Sequence, residues 1–268
     1  MDIRFDGFEL KFIIAVGFLL VAGAFNFFER CARFANVCCV IGLWLLLGMV
    51  SIIFCYMFAT LKIPLYDKEL SMLDKALGFD WLSYYHFGTR QEIVNKVLKA
   101  AYSSLGVQTL LTVLFLAFRR KFARNLELVW ITLVALLLTA AISGLIPAVG
   151  ALYYYQIGLE HAVHLQDYFA LRTGEPMRFA LENVRGIITF PSFHTSSAIL
   201  LMYAHRGERS VYLFVPANIL MLLATPIFGG HYLVDLLGGL AVAVVSIFAV
   251  QYAKASKPRM QSDWQKKA

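Results

Sequence analysis

Two histidines and one aspartate in the C-terminal half of the chain have the types and spacing that phosphoryl transfer requires. His194 falls in Gly186-Ile187-Ile188-Thr189-Phe190-Pro191-Ser192-Phe193-His194-Thr195, and His231 and Asp235 fall in Gly229-Gly230-His231-Tyr232-Leu233-Val234-Asp235. Each stretch sits at the edge of a long apolar run. The four-residue spacing of His231 and Asp235 puts them on one face of a helix. A histidine attacks phosphorus best when its second ring nitrogen donates to a carboxylate, which sets the tautomer and stabilises the developing positive ring. Asp235 suits that role for His231. His194 suits the role of acid on the leaving oxygen and then of base on water or an acceptor alcohol.

Phosphate oxygens need donors that strengthen as charge develops. Arg172, Arg178 and Arg185, in the longest polar stretch, are the candidates, with Ser192, Thr195 and the backbone amides at the two helix starts. Two histidines and an aspartate also suit zinc, and His161 and His164, three apart, are possible further ligands. The His-x3-Asp pair works without metal and no third strong ligand is clearly placed, so no metal site and no cofactor is assigned. His205 adjoins Arg206 on the other side of the membrane and takes no part.

The elements that must position these residues are membrane helices. Of 268 residues, 60% are hydrophobic and only 15% charged, with a mean hydropathy of +0.68, against roughly a quarter charged in soluble domains. The apolar runs are too long and too unalternating for barrel strands. The expectation is an all-α polytopic transmembrane bundle with spans near 10–28, 35–59, 98–118, 128–151, 193–204, 211–226 and 231–252. The fifth is short. Gly42 and Gly48 in the second permit close helix contact. The four cysteines, Cys31, Cys38, Cys39 and Cys55, lack metal-site spacing and read as packing residues. The first span lacks a cleavage signal and reads as a retained helix.

The chain reads as one integral membrane domain over 1–268. Residues 1–59 hold the N-terminal spans, 60–96 an extracytoplasmic amphipathic segment, 97–252 the catalytic core and 253–268 a basic cytoplasmic tail. In the amphipathic segment Leu70, Leu73, Leu77, Trp81 and Tyr84 recur at helical spacing. They suit either the headgroup layer or a helix packed over the protein's own loops.

With seven spans, residues 29–34, 119–127, 205–210 and 253–268 share one side and carry thirteen Lys or Arg against four acids. Short basic loops stay in the cytoplasm, so the N-terminus is placed outside and the C-terminus inside. His194 and His231 then meet at the extracytoplasmic face, in a membrane expected to be a bacterial inner membrane. The formal charge of +7 follows these loops and gives no reason to expect a nucleic-acid partner.

Pro191-Ser192-Phe193-His194 and Gly230-His231-Tyr232-Leu233-Val234-Asp235 resemble the Pro-Ser-x-His and closing His-x3-Asp motifs of the type 2 phosphatidic acid phosphatase superfamily. The resemblance is strong over about 186–240 and extends as helical scaffold over about 95–252. It implies a six-helix core, a phosphohistidine on His231 oriented by Asp235, and His194 as the acid. Where that family's closing motif has Ser-Arg ahead of the histidine, this chain has Ala224-Thr225, and its Lys-x6-Arg-Pro motif is missing. The Phe193-His194-Thr195 and Gly-His-Tyr pattern is closer to the branch with inositol phosphorylceramide and sphingomyelin synthases. The expected activity is a membrane lipid-phosphate phosphatase. The alternatives are a transferase moving a phospho-headgroup to a lipid alcohol, and a non-enzymatic transporter or structural protein. A lipid phosphate or phospholipid and the bilayer itself are the expected partners.

Overall fold

The computed structural model describes residues 3–27, 32–162, 164–174, 177–180 and 186–256. Arg185, part of the 29–34 loop and most of the basic tail lie outside them. The first element is a short strand, β1 (Ile3–Asp6), followed by α1 (Phe8–Phe27) and α2 (Ala32–Ala59). Ala15 and Ala22, one heptad apart, are the buried face of α1. A side chain on Gly42 of α2 would run into Leu19 and the Ala15 carbonyl, so α1 and α2 lie close there. Gly48, the other permissive glycine, makes no such contact: a Cβ there meets nothing within 4 Å.

Two short helices, α3 (Asp67–Ala76) and α4 (Trp81–Arg90), precede a pair that breaks in the middle, α5 (Glu92–Ser103) and α6 (Leu105–Phe118). The pair bends by 50°. At the elbow Ser104 Oγ donates to the Ala101 carbonyl and accepts from Gln108 Nε2, so side chains stand in for helix bonds. The long α7 (Phe122–Leu145) is followed by α8 (Ala151–Tyr154), a 3-10 turn at Leu159–His161, α9 (Leu165–Thr173) and strand β2 (Met177–Ala180). The core closes with α10 (Phe193–Ala204), α11 (Val211–Phe228) and α12 (Leu233–Ala255).

The molecule is a helical bundle, with one addition the hydropathy pattern does not announce: β1 pairs in parallel with β2, Ile3 opposite Met177. Among the described residues five helices are each long and apolar enough to cross a bilayer, and α5 with α6 makes a sixth when taken as one bent span. The expected fifth span, α10, has twelve residues, about 18 Å, against a hydrocarbon core of roughly 30 Å. It runs from the Pro191-Ser192 turn to His205.

At the end opposite that start, charges close the bundle. Glu127 of α7 accepts from Arg206, Lys254, Tyr203 and Gln251. Glu208 pairs with Arg119 and Lys121. His205 is fully buried there, between the Thr112 and Ser210 hydroxyls, and stacks on Phe214.

The amphipathic segment packs differently from its leucine stripe. Leu73 and Leu77 are exposed, while Asp67, Leu70, Ser71 and Asp74 form the buried face of α3. Trp81 and Tyr85 are buried as well, so this segment is a lid over the protein's own turns. The physical reason is hydrogen bonding. The two carboxylates reach buried backbone N–H groups that would otherwise lack partners.

Candidate active site

The turn Pro191-Ser192 and the first turns of α12 are joined by backbone. Ser192 N–H donates to the Asp235 carbonyl at 3.0 Å, and Ser196 Oγ donates to the Gly239 carbonyl at 2.8 Å. Gly239 permits this approach, since a Cβ there would lie 2.3 Å from the Ser192 carbonyl oxygen. Ser192 also caps α10, its Oγ accepting from Thr195 N–H at 3.3 Å. His194 is thereby fixed in the first turn of α10, beside the start of α12.

His231 sits in the connection between α11 and α12. Its carbonyl accepts from Trp81 Nε1 at 3.1 Å, and the preceding Gly230 carbonyl accepts from Ala151 N–H at 2.7 Å. Its Nδ1 faces Asp235 Oδ2 at 3.1 Å. The same oxygen accepts from Tyr232 N–H at 2.9 Å, which holds the carboxylate in place. With Nδ1 turned to the acid, Nε2 keeps its lone pair for another group, and Ser192 Oγ lies 3.5 Å from it.

The two imidazoles face each other, ring centres 6.4 Å apart. Tyr102 stacks on His194 at 4.5 Å. Both histidines line a cavity of about 340 Å³ whose wall includes Tyr102, Thr139, His161, His164 and Gly186 to Thr189. His231 is 3% exposed and Asp235 0%. Burial pushes the His231 imidazole below the ordinary histidine range, with the Thr189 carbonyl partly opposing it. The neutral ring, which burial favours, is the form that can act as a nucleophile. Burial lowers His164 in the same way, and raises the carboxyls of Asp67 and Asp74.

The candidate phosphate donors are dispersed. Ser192 touches His231, while Thr195 packs against Gly239 and its hydroxyl has no hydrogen-bond partner among the described residues. Arg172 donates to the Leu61 carbonyl at 2.7 Å and to that of Ile63, and lies over the Tyr168 ring. It clamps α9 to the end of α2. Arg178 is exposed on β2, and neither arginine lines the cavity. Arg185 lies outside the described residues and directly precedes the wall residue Gly186.

The start of α12 does not offer free amides to an anion. Asp74 Oδ2 and Oδ1 accept from Leu233 and Val234 N–H at 2.8 and 2.9 Å. Asp67 in turn accepts from Val149 and Gly150 N–H and from the Tyr232 hydroxyl. Sequence reasoning missed both acids. The signal was there, as two aspartates seven apart on one face of a short helix. It also missed Thr139, a buried hydroxyl on the cavity wall without a hydrogen-bond partner among the described residues. A lone threonine in an apolar span carries no signal.

No curated protein and no solved structure matches the chain. A family model described as PAP2 superfamily matches residues 68–249, about two thirds of the sequence, and takes in α3 and α4 as well as both histidine motifs. The paired imidazoles, the carboxylate behind one of them and this match lead to one conclusion: the chain belongs to the PAP2 superfamily.

Proposed function

We propose that the protein is a membrane lipid-phosphate phosphatase working through a phosphohistidine on His231. Family membership supports phosphatase-like chemistry on a lipid phosphate. The observation that carries the finer reading is the pair of imidazoles 6.4 Å apart on one cavity, with Asp235 3.1 Å behind His231.

In the first step His231 Nε2 attacks phosphorus, the bond to the lipid oxygen breaks, and His194 gives its proton to that oxygen. A phosphate anion between the rings favours the protonated imidazole, so His194 takes up its proton as the substrate arrives. Asp235 accepts the Nδ1–H throughout and balances the ring's positive charge. In the second step water attacks phosphorus, His194 takes the water's proton, and the P–N bond breaks to release phosphate. Arg185, Ser192, Thr195 and the free amides at the start of α10 are the proposed anion donors. The site faces the extracytoplasmic side of an inner membrane, with the Glu127 and Glu208 cluster in the cytoplasm.

The Phe193-His194-Thr195 and Gly-His-Tyr pattern supports a second reading. There the acceptor is a lipid alcohol, and the group moved is a substituted phosphoryl group. The purified protein is offered lipid phosphates, diphosphates and phospholipids, with and without a diacylglycerol or ceramide acceptor and with and without chelator. Inorganic phosphate released without acceptor, and lost in His231→Ala, supports hydrolysis. A new headgroup lipid formed only with acceptor supports transfer. Unchanged turnover in a folded His231→Ala protein would falsify both.

A further inference from the structure

A second cavity, of about 320 Å³, adjoins the first. Its wall is mostly apolar, with Trp44 and Leu47 from α2, Leu105 from α6, Leu128 from α7, and Leu200 and Leu201 from α10. Ser51, Leu136 and Phe193 line both cavities, so the two meet at these residues.

The slot runs along the helices. On α2, Trp44, Leu47, Gly48, Ser51 and then Cys55 follow at intervals of three and four, the last two reaching the histidine cavity. On α7, Leu128, Thr132, Leu136 and then Thr139 do the same. Eleven residues of either helix cover about 16 Å. One end of the slot meets the imidazoles, and the other approaches the level of Glu127. Its floor is bare backbone: a Cβ at Gly48 or at Gly106 meets no atom within 4 Å. A polar head joined to a long, narrow, apolar path matches the shape of a phosphate on a hydrocarbon chain.

We propose that this slot binds one hydrocarbon chain of the substrate, threaded between α2 and the core, and so selects long-chain lipid phosphates. The inference rests on the phosphatase reading of the adjoining cavity. Because α2 lies before the residues matched to the family, one wall of the slot is supplied by residues outside that match.

The test compares hexyl phosphate with hexadecyl phosphate, using full-length protein in detergent. Wild type should favour the long chain in kcat/KM. Gly48→Leu on α2 and Gly106→Leu on α6 should each lower that preference by about tenfold, mainly through KM, the effect of losing roughly two buried methylenes. Thermal unfolding midpoints check that both variants fold. An unchanged preference in two folded variants overturns the proposal. A second readout does not depend on turnover. A brominated hexadecyl phosphate should quench tryptophan fluorescence, and Trp44→Phe should remove part of that quenching, since the exposed Trp130 on α7 is quenched from the micelle in either protein. Quenching unchanged in Trp44→Phe also overturns the slot. Quenching that depends on Trp44, with no phosphate released from either probe, keeps the slot and rejects the phosphatase reading instead.

Discussion

At the scale of single residues the proposed mechanism turns on the His231–Asp235 pair. Asp235→Asn keeps the shape but can no longer stabilise a positive ring. We expect kcat to fall by about 10²–10⁴, with thermal stability little changed in a differential scanning measurement. A neutral His231 also sets the pH profile. Its burial-lowered pKa means that the free enzyme loses activity only when acid protonates the ring. The acid limb of kcat/KM should therefore lie below the ordinary histidine pKa of about 6.5, and a limb at or above that value would contradict the assignment. Thr139, with an unsatisfied hydroxyl on the wall, should matter to substrate. Thr139→Val is predicted to raise KM severalfold while leaving the unfolding temperature within a few degrees of wild type.

At the scale of elements, the site depends on backbone contacts between segments far apart in the chain. Gly239→Ala would place a methyl group 2.3 Å from the Ser192 carbonyl, pushing the start of α10 away from α12. A shift of about 1 Å costs about 10²-fold in rate, so we expect a folded protein with kcat reduced by that order in a steady-state assay. Both histidine motifs and the order of the spans were legible in the sequence, because apolar runs and Gly/Pro turns are local signals. The burial of Asp67 and Asp74 was not. An acid that caps a helix 159 positions away has no local signature, and Leu73 and Leu77 pointed the reading to the wrong face of α3. The kink at Ser104 was equally silent, since no proline marks it.

At the scale of the whole molecule, two ends of unlike charge support a fixed orientation. The Glu127 and Glu208 clusters gather Arg119, Lys121, Arg206 and Lys254 at the end away from the histidines. In a background with the native cysteines replaced, Lys62→Cys should react with a membrane-impermeant maleimide on intact cells. Arg209→Cys should react only after permeabilisation. The reverse pattern would put the histidines on the cytoplasmic side. Of the seven expected spans, five are single long apolar helices, a sixth is the bent α5–α6 pair and α10 is short; hydropathy made the five legible, but not the bend or the depth of the site. Short α10 and the position of Thr139 part-way along α7 reveal it only in three dimensions.

The carboxylate of Asp74 on the amides of Leu233 and Val234 sets the smallest portable unit of this protein. A fragment beginning at Glu92 would keep both histidine motifs and every helix from α5 to α12. It would also leave the Leu233 and Val234 amides in the first turn of α12 without the Asp74 carboxylate, and two half-buried amides without acceptors cost about 1–2 kcal/mol together. A transplant of these motifs into another bundle has to carry residues 67–76 along with them.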